Sequence, residues 1–153
     1  MAMPKKGLRK VAVAVSTGRV AAVFLKGKNV IGRKMSRTAA QNPQSAARIV
    51  QAWITGFKPD HMIVEDPKTA LRKGNNAKEI LETIATLFEN SDGLDIKLPR
   101  IQSYQNKYDE AKALVKLYPP MRKVLPKRPP IWMPEPRNMS YFEALSLAHQ
   151  LKS

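Results

Sequence analysis

Two adjacent carboxylates, Glu65 and Asp66, close a short apolar run, His61-Met62-Ile63-Val64. Lys68, Arg72, Lys73 and Lys78 follow, interrupted by Gly74. Carboxylates at such a place hold divalent cations or move protons, and a basic loop beside them neutralises phosphate. A further acid, Glu143, opens an Ala- and Leu-rich stretch and lies three residues after Ser140. Ser140-x-x-Glu143 has two readings. It has the form of a capping box, in which both side chains satisfy backbone donors at a helix start. It also puts Glu143 on the border of a buried stripe, where it can serve a site. Glu135-Pro136-Arg137-Asn138 just before it reads as loop chemistry. Tyr104, Lys107 and Tyr108 could supply a ring for a base and an ammonium for a phosphate, although Tyr108 also suits a packed helical stripe. His61 and His149 read as structural. The chain has no cysteine, which removes disulfides, thiolate metal sites and a Cys nucleophile. It carries no Gly-rich phosphate loop, Ser-His-Asp order or dinucleotide fingerprint.

The elements that must position these groups follow from periodicity and punctuation. Val11–Val15 and 61–65 are short, apolar and β-branched, as buried strands are, and Pro67 ends the second by removing a ladder donor. Ser16-Thr17-Gly18-Arg19 and Gly27-Lys28 are turns, so strands at 11–15, 20–26 and 29–36 form an antiparallel meander. Asn42-Pro43 starts a helix with the stripe Ala46, Ala47, Ile49, Val50, Trp53 and Ile54, which Gly56 should end. Asn75 or Asn76 caps a second helix, bearing Ile80, Leu81, Ile84, Leu87 and Phe88. Residues 94–98 make a fifth strand, 107–118 a third helix, and 141–151 a last one. Between these, the Pro-rich loop 119–137 should lie over the domain with Ile131-Trp132 as its anchor. Residues 1–9 read as a loose basic arm, and the 153 residues as one domain.

Charge narrows the partner. Lys and Arg number 27 against 12 Asp and Glu, a formal net charge of +15. Basic residues recur along the chain rather than in one tail, so a polyanion is the expected partner, nucleic acid before membrane. No apolar run approaches a membrane span, no signal-peptide core opens the chain, and no long basic amphipathic helix appears. The expected setting is the cytoplasm.

The order βββαβαβα followed by a loop and a helix, with a five-stranded mixed sheet, resembles the ribonuclease H-like fold. VAVAVSTGR, MIVE and SYFEALSLAH resemble three segments of the RuvC-type Holliday junction resolvases: the opening strand, the strand carrying a glutamate, and the closing acidic helix. The resemblance implies binding and metal-dependent cleavage of branched DNA, a place in DNA recombination, a Mg²⁺ or Mn²⁺ cofactor, and a homodimer. It puts Glu65 and Glu143 on two of the family's four carboxylates and sets Ser16 and Ser140 where the others should be. The expected catalytic set is therefore Glu65, Glu143, Ser16 and Ser140, with Glu65 and Glu143 as metal ligands. Lys68, Arg72, Lys73, Lys78 and Lys107 are the expected nucleic-acid contacts. The implied chemistry places two metal ions about 3.5–4 Å apart on the attacking and leaving oxygens. A neutral serine hydroxyl cannot balance a divalent charge, so the departure predicts weak metal binding and weak or lost cleavage. Asp66, Asp109 or Glu135 could compensate if the fold brings them in. The alternative is a ribonuclease H-like domain that binds nucleic acid without cutting it, or a basic structural protein.

Overall fold

The computed structural model describes residues 7–101 and 104–151; most of the expected N-terminal arm lies outside them. Three strands come first, β1 (Arg9–Ser16), β2 (Arg19–Lys26) and β3 (Asn29–Ser36). Two-residue turns join them, Thr17-Gly18 and Gly27-Lys28, and each turn glycine has positive φ. Then follow α1 (Pro43–Phe57), β4 (His61–Glu65), α2 (Asn75–Glu89), β5 (Leu94–Leu98), α3 (Lys107–Leu117) and α4 (Met139–Gln150).

The sheet order is β3-β2-β1-β4-β5. The β1–β2 and β2–β3 pairs are antiparallel, while β1–β4 and β4–β5 are parallel. This is the expected mixed sheet, with β1 at the point where the pairing changes sense. Both faces of the sheet are covered. Val11, Val13, Val15, Met62 and Val64 face α1 and α2, packing on Val50, Trp53, Ile80, Leu81, Ile84 and Phe88. Ala12, Ala14 and Ile63 face α3 and α4, packing among Leu114, Met139, Phe142, Leu145 and Leu147. Burial on both faces explains why β1 and β2 read as unbroken apolar runs instead of alternating ones. The alanines on the second face let α4 lie close to β1, and that closeness builds the site.

Three local expectations are corrected. Gly56 does not end α1; the helix runs one residue further and stops at Lys58, which is left-handed at φ 53° and precedes Pro59. Neither Asn75 nor Asn76 caps α2: Gly74 is the cap residue, and the Asn76 amide instead donates to the Ala40 carbonyl at 3.0 Å. The Pro-rich loop is not anchored by Ile131-Trp132. These two side chains are 101% and 83% exposed, while Met121 is buried and Val124 and Leu125 pack against the core.

Candidate active site

The C-terminal ends of β1 and β4 lie side by side because the strands are parallel and in register, Val13 beside Val64. Strand alternation then turns Glu65 to the face of Ile63, and Ser16 to the face of Ala12 and Ala14. That is one face of the sheet, the one α4 covers.

Ser140 lies inside the first turn of α4 and Glu143 one turn on, both buried. No side chain caps the helix start, and the capping-box reading falls. The Ser140 hydroxyl donates instead to Ser16 Oγ at 2.9 Å, and Ser16 donates to Glu143 Oε2 at 2.8 Å. The other carboxylate oxygen, Oε1, accepts from Lys107 Nζ at 2.9 Å. The same ammonium lies 3.1 Å from Glu135 Oε1. Lys107 is the first residue of α3, whose start is fixed by Asn106 Oδ1 accepting from the backbone N–H groups of Tyr108 and Asp109.

A second ammonium occupies the other half of the site. Lys73 Nζ donates to the Val15 carbonyl at 2.7 Å and lies 3.6 Å from Glu65 Oε1. Glu65 and Glu143, the two acids expected to hold metal, each face a lysine. Beside Glu143 opens a cleft of about 520 Å³, lined also by Ser16, Arg19, Arg72, Lys73, Lys107 and Glu135; Glu65 does not line it and meets it only through Lys73.

Burial alone would raise the Glu143 carboxyl. The charge and hydrogen bond of Lys107, the field of Arg100 and the Ser16 hydroxyl outweigh it and hold the group below its ordinary value. Burial would lower Lys107, but Glu143 and Glu135 hold it above the ordinary lysine value. Both shifts favour the ion pair at neutral pH.

The remaining expected residues divide. Arg72 is exposed and lines the cleft. Lys68 is exposed on the turn after β4 and lines a separate groove with Asp66, Glu82 and Lys97. Lys78 sits in the first turn of α2 and does not line the cleft. Of the three acids that could compensate, Glu135 arrives through Lys107. Asp66 caps the turn at Pro67–Thr69 by accepting from the Lys68 N–H at 3.0 Å, and exposed Asp109 accepts from the Asn106 amide at 3.1 Å.

No protein-family model matches the chain, and no curated protein matches it. Solved structures do. Fowlpox virus resolvase, in a complex with Holliday junction DNA, superposes with a TM-score of 0.60 at 15% identity, covering 92% of this chain and 96% of that one. Thermus thermophilus RuvC gives 0.57 at 15% identity, and 0.54 at 14% in complex with a Holliday junction substrate; both cover 92% of this chain and 90% of the other. The chain has the fold of the RuvC-type resolvases.

On the RuvC-type fold, the donor set here does not fit the divalent cations the resemblance implies. Among the described residues no cluster of three Asp, Glu, His or Cys side chains could hold a metal ion. Two neutral hydroxyls stand beside Glu143, and both carboxylates already face an ammonium. Mg²⁺ is ordinarily held by one or two free carboxylates with waters and phosphate oxygens, and both carboxylates here are engaged by ammonium groups. Sequence reasoning missed Arg19, which follows the first turn into the cleft, and Arg100, which holds Glu110 where it joins α3 to α4. Arg100 Nη2 donates to Glu110 Oε1 at 2.9 Å, and the Ser146 hydroxyl donates to Oε2 at 3.1 Å.

Proposed function

We propose that this protein binds branched DNA through its RuvC-type fold and holds it without hydrolysing it. The observation that carries this reading is the ammonium of Lys107 seated on Glu143, beside hydroxyls of Ser16 and Ser140 where the resemblance expects acids. A lysine ammonium donates hydrogen bonds and supplies one positive charge. It does not lower the pKa of a water to make a nucleophile, as a bound divalent ion does. The cleft therefore keeps an attraction for a phosphodiester and lacks the means to deliver hydroxide to it.

Arg19 and Arg72 are the phosphate contacts, with Lys73 and Lys107 contributing the protons and charge left over from their carboxylates. Lys68 and Lys78 extend the positive field beyond the cleft. The choice of branched DNA rests on the complexes of the fowlpox and Thermus proteins with Holliday junctions and on the net charge of +15. The test is binding of a four-way junction across a salt series with EDTA present. Binding should persist without metal and weaken with a log–log salt slope of about −3.6 or steeper, since four phosphate contacts give roughly −0.9 each. Binding that needs a divalent ion, or that ignores salt, would overturn the proposal.

A further inference from the structure

The loop between α3 and α4 carries an apolar tip that the core does not use. Met133 N–H donates to the Pro130 carbonyl at 3.0 Å, closing a turn with Ile131 and Trp132 at its two central positions. Both side chains stand almost fully in water, and Met133 is 53% exposed. A four-residue turn that spends its two central positions on Ile and Trp departs from ordinary turn chemistry, which favours Gly, Pro, Asn, Asp and Ser.

The position of the tip is fixed with respect to the cleft. Pro134 and Glu135, directly after it, line the cleft, and Glu135 is tied to Lys107. Trp132 is two residues from Pro134, a chain distance of at most about 7 Å. Its surroundings are basic: Lys127, Arg128 and Arg137 lie in the same loop and are exposed. The Arg128 guanidinium stacks over the Tyr108 ring, 5.2 Å from its centroid, next to Lys107. An exposed indole on a basic loop, next in the chain to a cleft lined by Arg19, Arg72, Lys73 and Lys107, suits one class of ligand, a nucleic-acid strand with an unstacked base. The ring takes the base face and the cleft takes the neighbouring phosphate.

We propose that Trp132, backed by Ile131, is a base-stacking tip that selects DNA with unpaired or unstacked bases next to the cleft. This rests on the DNA-binding reading above and names the feature of the DNA that is recognised. The chain has two tryptophans, and Trp53 is buried on α1 at 8% exposure, so the emission that iodide can quench belongs to Trp132.

The probes are a four-way junction, a duplex with a two-nucleotide bulge, and a fully paired duplex of equal length. The junction and the bulge should quench Trp132 emission and shield it from iodide, and the paired duplex should do neither. Trp132→Ala should weaken binding to the first two about tenfold, within the range a stacked base contributes, and leave the paired duplex unchanged. Trp132→Phe should restore most of the loss. A bound junction that leaves Trp132 open to iodide, with unchanged selectivity in Trp132→Ala, would overturn the proposal while leaving DNA binding intact. A dimer in sedimentation that Trp132→Ala converts to monomer, with all three DNAs weakened equally, would also overturn it, assigning the tip to a second copy. Failure of the unmodified protein to bind any of the three would sink the function first and the stacking tip with it.

Discussion

Lys107 joins two carboxylates that come from different parts of the chain, Glu143 at 2.9 Å and Glu135 at 3.1 Å. Removing that ammonium leaves buried Glu143 with the Ser16 hydroxyl as its hydrogen-bond partner among the described residues. Lys107→Met should cost about 1–2 kcal/mol of stability at neutral pH, less than a fully buried pair because Lys107 is 38% exposed. The same variant should gain a metal response: Mn²⁺ should raise its melting temperature and leave the unmodified protein's unchanged. Glu143→Gln on the Lys107→Met background should abolish the response. The pair also sets a pH signature. Glu143 is held below its ordinary value, so its contribution is present above that value and lost as pH falls through the folded one. Lys107 is held above its ordinary value, so its contribution is present below that value and lost as pH rises through the folded one. Urea unfolding across pH should show both flanks in the unmodified protein, and Lys107→Met should lose the alkaline one and weaken the acid one, since Lys107 does most to hold Glu143 down. Ser16→Asp would set a second carboxylate against Glu143 Oε2, now 2.8 Å from the hydroxyl. At neutral pH it should destabilise the protein, and acid that protonates one of the two should relieve the penalty.

The elements were legible to the degree that their signals are local. Asn42-Pro43 starts α1 as read, with the Asn42 side chain accepting from the Ser45 N–H at 2.8 Å. The turns at Thr17-Gly18 and Gly27-Lys28 and all five strands also follow from neighbours in sequence. Helix ends were read less well, because a distant partner or the residue just beyond can override the local signal. Asn76 is drawn off by Ala40, and α1 overruns Gly56 to stop at a lysine. Lys58→Gly should therefore stabilise the protein by about 1 kcal/mol in urea unfolding, since a left-handed backbone strains a residue bearing Cβ. The buried Arg100–Glu110–Ser146 bridge between α3 and α4 leaves no trace in the sequence, where Glu110 reads as an ordinary first-turn acid. Glu110→Ala should cost roughly 3 kcal/mol by stranding Arg100, and it should loosen the placement of Lys107 on the same helix. Ile131-Trp132 was misread for a related reason: hydrophobicity marks what can be buried, and here the turn at 130–133 projects it outward.

Across the whole molecule, the mixed sheet with β1 at its centre brings residues 16, 65, 73, 107, 135, 140 and 143 to one end of two parallel strands. The resemblance named four of these, Ser16, Glu65, Ser140 and Glu143; three are linked by hydrogen bonds, and Glu65 faces Lys73 at the end of the neighbouring strand. It could not say what balances the acids, because Lys107 and Lys73 read as phosphate contacts until the fold folds them back onto carboxylates. On the proposed function, the net charge of +15 and the cleft would attract DNA, and the ammonium groups would take the place of metal at the acids. The most direct test is a labelled four-way junction held at saturating protein with Mn²⁺ for many hours, followed on a denaturing gel. The account predicts intact strands at a bound fraction equal to that in EDTA. Cut strands in Mn²⁺ that Glu65→Gln restores to full length would contradict it.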